Sequence, residues 1–402
     1  MDVIKKGGIT SPRGFSASGM HAGIKKSGNK DLALISSDEM ANSAAVFTTN
    51  KVKAAPIIVS QNNIQYGKAK AIIANSGNAN ACTGEQGIED AKQMTCSAAS
   101  ALRVPYDNIL VASTGPIGKA LPLKLITRNM RNLVKKLSKT GGSNAAEAIL
   151  TTDLVKKEIA VQLTLNRKEV KIGGIAKGSG MIHPNMDLHA TMFCFITTDA
   201  EVSSATLNKL LKRATDVSFN MVTVDKDTST NDCVFALANG MSGCGKLSKK
   251  EEDKFYRALE YVCQYLAKEI ARDGEGATKL LEIRVAEAKN DNDAREVARS
   301  VAGSDLVKSA IFGQDPNFGR IMAAVGYSKA EVDPNAVNLF IGENQVVQQG
   351  AAIPFNSKAV NIYMKKKEIC ITVELGLGKG MATAWGCDLT YDYVKINAKY
   401  ST

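Results

Sequence analysis

A threonine hydroxyl becomes a nucleophile only when a base takes its proton, and residues 177–200, KGSGMIHPNMDLHATMFCFITTDA, offer Thr191 a way to acquire one. Gly178 and Gly180 free the backbone, and Pro184 biases His183 toward an extended conformation, so the segment before Ala190 is expected to be non-helical. Residues 192–196 are then continuously apolar and are bounded by Thr197, Thr198 and Asp199, which predicts a short buried strand with Thr191 at its first residue. If the Ala190–Thr191 bond is cut, the α-amino group of Thr191 stands beside its own hydroxyl. Such an amine, with a reference pKa of about 7.7 to 8.0, suits general-base work at neutral pH, and a cation such as Lys177 lowers it further. On spacing alone the plainer reading, a loop entering a core strand that begins with threonine, is the stronger.

Other stretches offer polar groups at strand ends. Residues 69–74 predict a strand that stops in the polar turn Asn75 to Asn80. Residues 109–112 predict another, ending in Ser113-Thr114-Gly115-Pro116, a turn able to aim the Thr114 hydroxyl and the Gly115 N–H into a cleft, whereas Pro116 has no N–H to add. Two such donors aimed at a developing oxyanion are typically worth about two to three orders of magnitude in rate; an ordinary β-turn explains the same residues. Asp225, Asp227 and Asp232 invite a calcium reading, but the glycine and the terminal glutamate of an EF-hand are missing. Glu275 stands between Gly274 and Gly276, where a carboxylate can approach a ligand closely.

The elements that must hold these groups alternate between short strands and helices. Residues 32–35, 44–47 and 54–59 are apolar runs that predict short strands, residues 88–102 an alanine-rich helix and residues 121–138 an amphipathic one. Strands follow at 159–165 and 170–172. Ser248 and Glu251 have capping-box spacing ahead of Phe255, Leu259, Val262, Leu266 and Ile270, which predicts a helix that stops at Asp273-Gly274, followed by a strand at 280–285. The lysines at 365–367 lie between two strand-like runs, AVNIYM and EICITVEL, and read as a hairpin turn. Together these predict an α+β layered sandwich of mixed sheets and helices.

The 402 residues, 44% apolar and 23% charged, are enough for one large or two ordinary cores. No stretch approaches a membrane span and the amino terminus carries no apolar export run, so a cytoplasmic, soluble protein is expected. The eight cysteines form no CxxC pair and no metal site, and are expected to be reduced and mostly buried. The net charge of +11 is spread over separated lysine pairs without interleaved aromatics, which argues against a nucleic-acid partner and for a diffuse field that attracts small anions.

Several of these stretches, in order along the chain, resemble the ornithine acetyltransferase family (glutamate N-acetyltransferases of arginine biosynthesis). Its members read approximately AKGSGMIxPNMATM followed by FxTTDA. Here Asp187, Leu188 and His189 stand between Asn185-Met186 and Ala190-Thr191, three residues more than that pattern. The SGNAN turn, STGPIG, the TTD at 151–153, TVDKDTSTND, DGEGATK and AIFGQDPNFGR, with Phe318 where tryptophan is usual, are similar to family elements as well. The resemblance implies an aminopeptidase/ornithine-acetyltransferase-like fold and self-cleavage between Ala190 and Thr191. It also implies that the pieces 1–190 and 191–402 fold together, two of each in the assembly. It further implies Thr191 as nucleophile and Thr114 and Gly115 as oxyanion hole. Substrate contacts are implied at Thr151 or Thr152, Lys177, Glu275 (on the substrate amine), Asn397 and Thr402. The implied reaction moves acetyl from N2-acetyl-L-ornithine to L-glutamate through acetyl-Thr191, with no metal or bound cofactor and with acetyl-CoA as a candidate second donor. The alternative is an N-terminal-nucleophile aminopeptidase or amidase of the same fold, in which water resolves the acyl enzyme.

Overall fold

The computed structural model describes residues 1–183 and 192–399. Its first strands are β1 Asp2–Val3, β2 Phe15–Met20, β3 Leu32–Phe47, β4 Lys68–Ser76, β5 Ile109–Thr114, β6 Lys157–Leu165, β7 Lys168–Lys177 and β8 Phe193–Thr198. They continue with β9 Val222–Thr223, β10 Cys233–Ala238, β11 Leu280–Ala288, β12 Asn338–Ile341, β13 Asn344–Gln348, β14 Ala351–Ala352, β15 Glu368–Glu374 and β16 Gly380–Cys387. The helices are α1 Ala55–Asn63, α2 Gly84–Leu102, α3 Leu123–Lys135, α4 Gly142–Ala148, α5 Ser204–Asp216 and α6 Lys249–Arg272. After them come α7 Asp291–Gly303, α8 Asp305–Phe312, α9 Phe318–Gly326, α10 Ser357–Met364 and α11 Tyr391–Lys399.

The larger sheet runs β1-β6-β7-β8-β10-β3-β4-β5, with β2 also on β3; the smaller runs β14-β13-β12-β15-β11-β16-β9. At the centre of the larger one, β8 lies parallel to β10 with Cys233 opposite Phe193, and antiparallel to β7 with Lys177 opposite Phe193. All six residues of β8 are buried, as its uninterrupted apolar run requires of a strand covered on both faces. Phe193, Phe195 and Phe235 stack on one face at centroid separations of 5.7 and 5.6 Å, while Cys194 and Ile196 face a second core shared with α6. Helix α6 contacts β6, β7, β11 and β16 and so lies between the sheets. Its Phe255, Leu259, Val262, Leu266 and Ile270 are buried, Ser248 Oγ caps it by accepting from Glu251 N–H at 3.4 Å, and Asp273 ends it, all as the spacing predicts. Helices α1, α2 and α3 cover the far end of the sheet through Val59, Met94, Ile126 and Met130 against Ile73 and Val111. The architecture is the expected α+β layering of mixed sheets and helices.

Three local expectations differ. Residues 54–59 are not a strand but the start of α1, because Pro56 in the first turn supplies the helical φ and needs no N–H acceptor there. Residues 359–364 belong to α10, which Asn356 caps by accepting from Ala359 N–H at 3.1 Å, so the exposed lysines 365–367 join a helix to β15 instead of turning a hairpin. The runs 32–35 and 44–47 are two ends of one strand, β3. Its polar middle breaks register with β4 between Ser36 and Ala41 and exposes Asp38 to Met40. All eight cysteines are free, with Cys194, Cys233, Cys244, Cys263 and Cys387 buried. No helix among the described residues is long and apolar enough to cross a membrane.

Candidate active site

The ends of β5 and β7 open on one cavity of about 100 Å³, lined by Thr114, Gly115, Thr151, Thr152, Lys177, Gly180, Glu275 and Asn397 among others. The donor turn is built by close backbone approach. Asn78 N–H donates to Thr114 C=O at 3.0 Å, Ala79 N–H donates to Pro116 C=O at 3.1 Å, and Gly115 has φ +138°. A Cβ at Gly115 would lie 2.5 Å from Asn78 N and 2.6 Å from Gly77 C, so only glycine fits beside the SGNAN turn. Asn231 locks the two turns together, its Nδ2 donating to Ala79 C=O at 2.6 Å and Ser113 C=O at 2.7 Å. Lys177 Nζ donates to Thr114 Oγ1 at 3.4 Å, which leaves the threonine O–H free to donate into the cavity.

On the opposite wall, Glu275 N–H donates to Ser179 C=O at 3.0 Å, and Asn397 Nδ2, on α11, donates to Glu275 Oε2 at 2.8 Å. The Glu275 carboxylate reaches over Gly180, where a Cβ would lie 2.3 Å from its Cδ. The glycine after Ser179 thus makes room for the acid.

Two buried carboxylates hold this frame. Asp153 accepts from Gly178 N–H at 2.7 Å, Thr151 N–H at 3.1 Å and Lys157 Nζ at 2.7 Å. Asp273 accepts from the same Lys157 Nζ at 2.6 Å and from Leu154 and Val155 N–H. Burial opposes ionisation of Asp153, but the Lys177 and Lys157 cations together with these hydrogen bonds hold it well below the usual carboxylate range. Burial pushes the fully enclosed Lys177 ammonium down, against the pull of Asp153 and with the push of Lys157. Lys25, whose Nζ donates to Leu150 C=O at 2.6 Å, is likewise pushed down by burial to about 8, with Asp31 opposing and Lys177 adding.

The chain leaves this cavity along Gly180 and Met181 and is gripped on the way out. Asp225 accepts from Met181 N–H at 2.6 Å and Ile182 N–H at 2.8 Å. His183 Nδ1 pairs with Thr223 Oγ1 at 2.9 Å and its Nε2 with Arg299 Nη2 at 2.8 Å. The described chain resumes at Met192, whose C=O accepts from Cys233 N–H at 3.1 Å. The arrangement therefore gathers a hydroxyl and an N–H donor, an ammonium with a lowered pKa and a carboxylate–amide pair around one small space. Such a set can hold an amino-acid-sized molecule and stabilise an oxyanion.

A family model described as the ArgJ family matches residues 16–402. The chain belongs to the ArgJ family. It is 50% identical over 405 residues to the arginine biosynthesis bifunctional protein ArgJ of Caldanaerobacter subterraneus subsp. tengcongensis, covering 99% of this chain and 100% of that one. The protein of the same name from Staphylococcus aureus is 49% identical over 404 residues, with 100% and 97% covered. A solved structure of the arginine biosynthesis bifunctional protein ArgJ from Bacillus halodurans aligns with TM-score 0.50 and 44% identity over 52% of this chain and 98% of that chain.

In this ArgJ-family enzyme Thr114, Gly115, Lys177, Glu275 and Asn397, all singled out from sequence, line the same cavity. Thr151 and Thr152 both line the cavity, so lining leaves both in place as candidate contacts. Ala190, Thr191 and Thr402 lie outside the described residues. Residues 311–325 do not line the cavity, and Phe318 there meets Phe355 edge to face at 6.4 Å. Sequence reasoning missed Lys157, Asp153 and Asp273 as a buried cluster, and Lys25, Asn231 and Arg299. Asp153, the last residue of the TTD, Asp273, two residues before Glu275, and Asn231, inside the TSTND run, stood in stretches already marked, whereas Lys25, Lys157 and Arg299 did not.

Proposed function

We propose that the chain cuts itself between Ala190 and Thr191 into pieces 1–190 and 191–402, which stay folded together, two of each in the assembly. The new Thr191 hydroxyl then takes acetyl from N2-acetyl-L-ornithine, ornithine leaves, and L-glutamate attacks the ester to give N-acetyl-L-glutamate. The observation that carries this reading is the convergence of Thr114, Gly115, Lys177, Glu275 and Asn397 on one cavity whose wall, at Gly180 and Met181, lies just ahead of the segment that contains Thr191. Support for a chain in two pieces comes from the Bacillus halodurans structure, in which one solved chain is 98% covered by only 52% of this one.

Each half-reaction passes through a tetrahedral oxyanion, which the Thr114 hydroxyl and Gly115 N–H receive. The neutral α-amine of Thr191 takes the hydroxyl proton and returns it to the leaving amine, and Lys177 keeps that amine unprotonated near neutral pH. Glu275, presented by Asn397, holds the substrate ammonium, with Thr151 or Thr152 and Thr402 as further contacts. No metal or bound cofactor enters these steps. The word bifunctional in the relatives' names supports a second activity, to which we assign acetyl-CoA as donor.

Isotope-labelled acetylornithine with glutamate is expected to place the label on glutamate. Label recovered as free acetate at the same rate would make the enzyme an amidase. Intact mass of the purified protein is expected to show pieces of 190 and 212 residues, the lengths set by that cut. For Thr191→Ala the expectation is one whole chain without transfer activity, and two pieces from that variant would end the self-cleavage reading.

A further inference from the structure

Asp225 does not line the cavity, yet both walls that present Glu275 are tied to it. Its Oδ2 accepts from Met181 N–H at 2.6 Å, and its Oδ1 from Ile182 N–H at 2.8 Å and Asp227 N–H at 3.2 Å. Tyr393 Oη donates to Oδ2 at 3.4 Å. Burial and the Asp225 charge push the Tyr393 hydroxyl well up, so it keeps the proton that it donates. The carboxylate is anchored in turn through its neighbour. Val224 N–H donates to Ile182 C=O at 2.7 Å, and the buried Lys308 Nζ, on α8, donates to Val224 C=O.

The first wall needs such a grip because of its backbone. Met181 has φ +56°, a left-handed conformation that is unfavourable for any residue with a Cβ, and it directly follows Gly180, over which the Glu275 carboxylate lies. Two adjacent N–H groups converging on one carboxylate hold a bend that residue 181 would otherwise leave for a relaxed conformation. Ser179 C=O, two residues back, accepts from Glu275 N–H at 3.0 Å, so the acid's main chain and its carboxylate both rest on this bend. The second wall is α11, which has no buried residue. Tyr393 stands one turn before Asn397, whose Nδ2 donates to Tyr393 C=O at 3.1 Å and to Glu275 Oε2 at 2.8 Å. Movement of either wall therefore moves Glu275 or its amide partner.

We propose that Asp225 is the positioning residue for Glu275, clamping the left-handed Met181 bend beneath its carboxylate and, through Tyr393, the helix that brings it Asn397. The inference rests on the reading that Glu275 holds the substrate ammonium, and deepens it. A carboxylate is required because two acceptor oxygens are needed at once. Asparagine has one, so in Asp225→Asn either Met181 N–H or Ile182 N–H faces another N–H and loses its acceptor. An acid that served stability alone would leave the substrate affinity of the folded protein unchanged.

The test is steady-state transfer in the unsubstituted protein, Asp225→Asn, Met181→Gly and the double variant. It reads KM for acetylornithine and the inhibition constant of N2-acetylnorvaline, which has the same skeleton without the ammonium. Asp225→Asn is expected to raise KM for acetylornithine about 10-fold, the worth of a misplaced charged contact, with kcat and the N2-acetylnorvaline constant changed less than about three-fold. In the Met181→Gly background the same substitution should raise KM less than about three-fold, because glycine holds a positive φ without a clamp. Equal factors in the two backgrounds, or equal shifts for the two ligands, overturn the inference. Glu275→Gln separates it from the reading on which it rests. A KM raised there but not in Asp225→Asn overturns the positioning role alone, and a KM unchanged in Glu275→Gln overturns both. Should Asp225→Asn not fold, Tyr393→Phe decides. A KM raised about two-fold or more, with N2-acetylnorvaline unaffected, supports the clamp, and an unchanged KM refutes it.

Discussion

Replacing Gly115 by alanine tests the donor turn at a single carbon atom. The ideal Cβ lies 2.5 Å from Asn78 N, 2.6 Å from Gly77 C and 2.9 Å from Gly77 Cα, all backbone atoms, about 0.9 Å short of ordinary contact at the closest. Neither turn can yield freely. Asn78 is fastened by its N–H to Thr114 C=O and by Nδ2 to Lys119 and Ala120 C=O, and Asn231 ties Ala79 to Ser113. The φ of +138° adds strain of about 1 to 3 kcal/mol for any side chain. Displacing the Gly115 N–H by several tenths of an ångström amounts to losing one oxyanion donor, which costs about 2.7 to 4 kcal/mol of transition-state stabilisation, or about 10² to 10³ in kcat. Steady-state transfer from acetylornithine to glutamate should therefore show kcat reduced by that factor with KM changed only a few-fold, in a protein that denaturant melts show to be folded. Gly118→Ala is the internal control. It also has positive φ, +77°, but its Cβ would meet nothing within 4 Å, so it carries backbone strain without the displacement and should keep its rate. A Gly115→Ala enzyme with kcat within three-fold of the parent would refute the assignment of this N–H to the oxyanion.

Lys157→Met leaves the Asp153 and Asp273 carboxylates without the ammonium that bonds both, at 2.7 and 2.6 Å, and should cost about 3 to 5 kcal/mol in urea unfolding; a loss under 1 kcal/mol would show the cluster to be inessential. The acid in it also sets a pH dependence. The folded-state pKa of Asp153 is depressed, so its contribution is present above the unfolded value near 3.8 and is lost as pH falls below it, and the acid-side slope of stability should shrink in Lys157→Met. Lys25 acts in the other direction. Unfolded, it keeps its proton to about 10.5, but folded it releases it at about 8, so between those values the unfolded chain binds more protons and stability rises with pH. Lys25→Met should flatten the parent's rise across that window, and identical slopes would refute the shift. Glu275→Gln keeps the shape and the Asn397 contact but removes the charge, and should raise KM for acetylornithine about 10- to 100-fold, the worth of a charged hydrogen bond; an unchanged KM would remove Glu275 from substrate binding.

Much of the frame was legible because local chemistry and tertiary demand agree. The buried strand β8 announces itself as an apolar run, α6 by its cap and its period, and the end of α6 by the Asp-Gly that places Glu275. Thr114 and Gly115 were recognisable as a strand-end turn, although nothing local explains why the second must be glycine. That reason lies in Asn78, whose N sits where a Cβ would go. The mostly apolar six-residue runs at 54–59 and 359–364 misled, since length alone does not separate a short helix from a strand and the deciding residues are Pro56 and the Asn356 cap.

Most of the longer elements, the family likeness and several of the groups around the cavity could be read along the chain. Those follow from periodicity, capping and turn residues, which act over a few positions of chain. What only the tertiary structure decided is which charges share a low-dielectric interior. Lys157 joins Asp153 to Asp273 across 116 residues, and Asn231 bridges two turns more than 100 residues upstream, because pairing over such separations is set by how sheets and helices stack and leaves no trace in spacing along the chain.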